Sequence, residues 1–182
     1  MKMNDPNTMK ETSISSMQQS RKGGSLWPLG ITILLLTAYL FRIWNLAGQE
    51  LSFDEVATVF VARRSFLDIL RYIAQATREH PPLYYLGMSL WFRWIGTTEF
   101  AVRYPSVLIG IMVVAWGTRQ GRYLIGNREG GLWAGTLLAL TPASLWAART
   151  GRMYAAVILL AMMTMSAWRH WVENPTWQRG AT

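Results

Sequence analysis

The sequence predicts an all-α integral membrane protein, a multi-span helical bundle with short amphipathic helices in its first extracytoplasmic loop. Three observations carry that expectation. Charged residues make up only 15% of the 182-residue chain, where a soluble domain holds about 25%. Apolar residues reach 51% and gather into five runs. The net charge is +8, yet the arginines stand singly at the ends of those runs. That distribution suits lipid headgroups and positive-inside bias better than a nucleic-acid surface. Cysteine is absent, so neither a disulfide nor a thiolate metal site can form.

Residues 1–22 have no apolar period and are rich in Ser, Gln and Lys, the composition of a disordered, cytoplasmic tail. The uncharged run Gly23–Phe41 has 19 residues, enough for about 28 Å of helix and a bilayer core. Arg21 and Lys22 hold its start inside, and Arg42 is expected to snorkel at its far end. A signal peptide is the rival reading, but Ile43 and Trp44 follow where a small-residue cleavage site would stand.

Residues 45–80 form the first extracytoplasmic loop and the longest polar insert. Ser52 with Glu55 is a capping box, and Ser65 with Asp68 is a near match. Phe66, Ile69, Leu70 and Ile73 then recur at helical spacing, predicting an amphipathic helix that lies on the membrane. Four more apolar segments follow, at 81–96, 104–118, 130–148 and 153–168, with Pro82, Pro105 and Pro142 expected near helix ends. If every segment crosses, the basic loop containing Arg119, Arg122 and Arg128 falls outside, against the positive-inside rule. If 81–96 lies in the outer interface instead, that loop falls inside and Arg149–Tyr154 shares a face with Asp54. The second arrangement is preferred. The segment 169–182 reads as an aromatic, basic interfacial tail that continues into a longer protein.

Two polar constellations stand out. In LSFDEVATVF, the capping box uses Glu55 and leaves Asp54 at a helix start, where it could take a proton from a hydroxyl or hold a divalent ion. In RTGRMY, Arg149 and Arg152 lie between apolar segments, where they either anchor to headgroups or bind a lipid phosphate. His80, followed by two prolines, is a candidate for contact with a phosphate or acceptor. Tyr84 and Tyr85 read as interface aromatics, and Glu99 with Arg103 has i,i+4 spacing for a local salt bridge. Neither a nucleotide loop nor a His-Glu-x-x-His arrangement occurs.

The order LSFDEVAT, HPPLYY, GTTEFAVRYPSVLIG, GGLWAGTLLALTP and RMYAAVILL resembles the N-terminal part of GT-C integral-membrane glycosyltransferases. The similarity is to the protein O-mannosyltransferase, aminoarabinose transferase and RgtA/B/C/D-like branches, and it covers nearly all of residues 25–168. It implies a multi-pass protein of a bacterial cell membrane. Such a protein moves a sugar from a polyprenyl-phosphate donor to a glycan, lipid or protein acceptor on the extracytoplasmic face, with membrane lipids as partners and no nucleic acid. It further implies Asp54 as the catalytic residue that activates or positions the acceptor, with Glu55 and His80 near the acceptor or a metal. By the same resemblance Arg103, Arg152 and Tyr154 would bind the lipid phosphate, Arg152 chiefly, with Arg149 added from its place between two apolar segments. No cofactor is firmly implied; a divalent cation would sit at Asp54 if anywhere. Family members often carry a carboxylate just before the R-x-Y element, where this chain has Thr150. A non-catalytic bundle subunit and a transporter-like fragment are the competing classes.

Overall fold

The computed structural model describes residues 26–76 and 81–173, and every regular element among them is helical. Helix α1 spans Leu26–Ile43. It is followed by α2 (Phe53–Ala62), α3 (Phe66–Ala76), α4 (Pro82–Ile95), α5 (Glu99–Ile125), α6 (Arg128–Leu140), α7 (Pro142–Arg149) and α8 (Tyr154–Glu173). Three of these, α1, α5 and α8, are long and apolar enough to cross a membrane. The pair α6–α7, bent by 59°, is a fourth candidate. The structure is thus an all-α fold with several long apolar helices, as a helical membrane-associated protein requires.

Side-chain distribution agrees with that class. Leu29, Ile33, Leu36 and Leu40 form an exposed stripe along α1, and Val157 and Leu160 are exposed on α8. Small residues fill the interior instead. Ala38, Val114 and Ala139 join α1, α5 and α6. A Cβ on Gly131 would stand 2.8 Å from the Thr118 carbonyl, so α5 and α6 approach at backbone distance. Close approach through small residues is how helices pack where lipid removes the hydrophobic drive between them.

Helices α2, α3 and α4 form a separate layer at the end of the bundle where α1 finishes and α5 begins. Ser52 caps α2 with the reciprocal Glu55 bond, and Ser65 accepts from the Asp68 amide at the head of α3. Of the expected α3 stripe, Ile69 and Ile73 are buried with Val61 and Tyr85. Phe66 stays exposed. Helix α4 has 14 residues, about 21 Å at 1.5 Å per residue, well short of a bilayer core. Its buried residues Tyr85, Met88 and Phe92 pack in this layer and against Val102.

Two expectations about the bundle are corrected. Pro105 lies inside α5 rather than at its end. Lacking an N–H, it leaves the Ala101 carbonyl without its helical donor; the Trp91 indole supplies one at 2.8 Å. Arg42 does not snorkel outward. It is fully buried and reaches into the bend between α6 and α7. Pro142 removes the donor for the Leu138 carbonyl, and the bend frees that of Ala139. Arg42 donates to both at 3.3 Å, and to the Ser144 hydroxyl at 3.1 Å. Pro105 and Pro142 thus each have a distant side chain that bonds a carbonyl their missing N–H leaves open.

Candidate functional site

The adjacent carboxylates Asp54 and Glu55 meet opposite environments. Glu55 is 2% exposed, and each of its oxygens accepts two hydrogen bonds. Oε1 takes Arg103 Nε at 2.9 Å and the Gly151 amide at 2.7 Å. Oε2 takes Arg103 Nη2 at 2.8 Å and the Ser52 amide at 2.9 Å. Burial pushes the Glu55 carboxyl up, but the Arg103 hydrogen bonds, the Gly151 and Ser52 amides and the Arg103 charge outweigh it and hold it at about 2. Such a saturated carboxylate has no lone pair left for an acceptor or a metal. Glu55 is a structural anchor in the wall of the cavity that Asp54 also lines, with its oxygens already occupied.

Arg103 is equally committed. Beyond the fork onto Glu55, Nη1 donates to the Leu46 and Gln49 carbonyls at 2.8 and 2.9 Å, and Nη2 to the Glu50 carbonyl at 3.0 Å. All five guanidinium protons are used. Neither the lipid-phosphate role nor the local pairing with Glu99 describes this residue; it clamps the segment after α1 to the head of α5. Gly151 completes the joint. A Cβ there would lie 2.4 Å from Val102 Cγ1 and 3.3 Å from Glu55 Oε1, so only glycine brings this amide onto the carboxylate.

Asp54 lies one residue before this joint and points elsewhere. It is exposed, and its carboxylate makes no hydrogen bond or ion pair among the described residues. It lines a polar cavity of about 590 Å³, together with Asn45, Glu50, Arg149, Trp146 and Tyr154. Arg149 donates to the Trp44 carbonyl at 2.9 Å, and Tyr154 stacks on Trp146 with ring centroids 4.9 Å apart. Asn45 turns the chain with a φ of 50°, a left-handed conformation that Asn adopts more readily than most residues.

Of the residues expected to share a site, Asp54, Glu55, Arg103, Arg149 and Tyr154 line one cavity, although Glu55 and Arg103 spend their hydrogen bonds on each other and on backbone groups. Arg152 approaches the same helix start from beside that cavity, donating to the Asp54 backbone carbonyl at 3.2 Å. His80 lies outside the described residues. Tyr84 and Tyr85, which follow it in sequence, stand at the start of α4. Tyr84 Oη is buried without a hydrogen-bond partner among the described residues. Burial and the neighbouring Tyr85 raise its pKa, against the opposing pull of Arg152. Tyr85 is raised by burial too, and feels both Arg152 and Asp54.

Sequence reasoning missed Glu50, a further carboxylate lining the cavity; it stands within the GQELSFDE segment, four residues before Asp54. Among the described residues no group of three or more His, Asp or Glu side chains converges as a metal cluster. A divalent ion in the cavity would have Asp54 and Glu50 as its carboxylate ligands. Chemically, the arrangement offers an unengaged carboxylate, a guanidinium and aromatic walls around one open space. No protein-family model, curated protein or solved structure is significantly similar to this chain.

Proposed function

We propose that this chain forms the acceptor-side cavity of a multi-span membrane glycosyltransferase that uses a polyprenyl-phosphate sugar. The observation that carries the reading is the cavity itself. Asp54, whose carboxylate has no partner among the described residues, and Arg149 face one polar space at the end of a bundle that exposes apolar side chains along α1 and α8. A lipid-borne donor would bring its phosphate to the level of Arg149 while its chain stays in the bilayer. Asp54 takes the proton of the acceptor hydroxyl as that oxygen bonds to the anomeric carbon. The bond from that carbon to the phosphate oxygen breaks, and the lipid phosphate leaves with the electron pair. Arg149 offsets the charge that develops on it. Inversion is an implication of the family resemblance, and the cavity position favours Arg149 over Arg152 for the phosphate.

The membrane arrangement belongs to the same proposal. Helices α1, α5, α6–α7 and α8 cross, and α2–α4 lie at the outer interface, since Arg103 ties the end of α1 and the start of α5 to one side. The other end carries Arg119, Arg122, Arg128 and the start of α1, so the positive-inside rule makes it cytoplasmic.

The test is sugar transfer by the complete protein in membranes with Asp54→Asn. Transfer is expected to fall by about a hundredfold or more, the scale of a lost general base, with expression and insertion unchanged. Normal transfer by D54N removes Asp54 from the mechanism. A transporter-like reading draws on one observation, the broken α6–α7 pair around buried Arg42. Arg42 lies one residue from the end of α1, however, and bonds the carbonyls that the bend frees. That is a structural use of a cation.

A further inference from the structure

At the opposite end of the bundle, a crevice of about 610 Å³ opens between the C-terminal halves of α5 and α8. Arg119, Arg122 and Arg169 line it, with Trp116 and Tyr123 as aromatic walls. Sixteen residues separate Arg103 from Arg119 along α5. At 1.5 Å per residue that is about 24 Å, so the crevice is distinct from the Asp54 cavity. Arg169 bonds Gln120 Oε1 at 2.8 Å and approaches Glu173 at 3.7 Å. Arg119 and Arg122 are exposed and form no ion pair with a carboxylate among the described residues. Each instead lies 5.4 Å from a tryptophan ring centroid, Trp116 for Arg119 and Trp27 for Arg122. The rings hold the cations in place and leave their hydrogen-bond donors available.

We infer that this crevice binds the phosphate headgroup of an anionic phospholipid, with the lipid's acyl chains against the exposed apolar face of α8. Two features favour a lipid over a free phosphate. Met163 lines the crevice, and Leu160 and Val157 continue an exposed apolar face from it along α8. Arginine forks and aromatic walls at the headgroup level match a phosphodiester beside hydrocarbon. The inference rests on the reading that α5 and α8 cross a bilayer, and it does not depend on transferase chemistry.

The test uses the full chain reconstituted in phosphatidylcholine bilayers. Spin-labelled phosphatidylglycerol and spin-labelled phosphatidylcholine are compared by the fraction motionally restricted at the protein. The wild type should prefer phosphatidylglycerol, and R119Q/R122Q should lower that preference by about five- to twentyfold. R71Q and D54N, at the other end, should leave it unchanged, so loss of transfer and loss of lipid selectivity are separable. Excess glycerol phosphate and inorganic phosphate should compete weakly. Full displacement by inorganic phosphate would make this a soluble-anion site and overturn the lipid assignment. A photoactivatable phosphatidylglycerol should label residues 116–123 and 163–173 of the wild type, which tests the site even where the double variant fails to fold. Labelling confined to other segments, or equal selectivity in folded R119Q/R122Q, overturns the inference. A chain that does not insert overturns it together with the membrane reading; an inserted chain without lipid preference overturns this inference alone.

Discussion

The Glu55–Arg103 joint forms part of the wall of the Asp54 cavity and shares the first turn of α2 with Asp54, yet the polar groups of the two are satisfied in opposite ways. In the joint, each polar atom has its partners. Four bonds reach the carboxylate and five leave the guanidinium, and the Gly151 amide approaches so closely that no side chain fits. In the cavity, a carboxylate one residue earlier has no side-chain partner among the described residues. The saturated pair fixes the backbone, and the unsaturated group is thereby held at a defined place beside open space. Rigidity and reactivity are divided between neighbours in the chain.

Breaking the joint should have the largest effect on stability. Glu55→Ala leaves a buried Arg103 without its counter-charge, which costs about 3–5 kcal/mol. Denaturant unfolding in detergent micelles would measure it, and a loss below about 1 kcal/mol would show that the pair is solvated. Gly151→Ala comes next, at about 1–3 kcal/mol, because the added Cβ displaces Val102 or pulls the amide off Glu55. Its signature beyond stability is an upward movement of the Glu55 pKa. Acid titration gives an intermediate effect. With the folded carboxyl held at about 2 and an unfolded one near 4.3, the stabilisation is complete above about pH 5. It should disappear as the pH falls through that window toward 2, where both states are protonated. Glu55→Gln should flatten this dependence. The smallest effect on stability belongs to Asp54→Asn, within about 0.5 kcal/mol, and that contrast with its expected loss of transfer is the sharpest test of the division.

Much of the local structure was legible in the residues. The Ser52–Glu55 capping box is an i,i+3 relation, and both of its bonds are present. The helix after Ser65 and the long apolar helices also follow from periodicity and composition. The site was only partly legible. Asp54, Glu55, Arg103, Arg149 and Tyr154 line one cavity, but Arg103 proved to be a clamp within its wall and Glu50 an unnoticed part of it. Nothing local signals that Arg103 prefers Glu55, 48 positions away, to Glu99 four positions away. The one available sign was the presence of Gly151 between a threonine and an arginine, a residue type that permits close backbone approach.

The sequence by itself determined the helices, their apolar character and the division of charge between segment ends, because these depend on neighbours within a few turns. Only the tertiary structure decided the fate of the buried polar groups. Arg42 and Trp91 complete carbonyls left open by Pro142 and Pro105, and Arg103 gathers three carbonyls and a carboxylate. A buried donor or acceptor must find its partner wherever packing supplies one, and that choice is made across the fold and not along the chain.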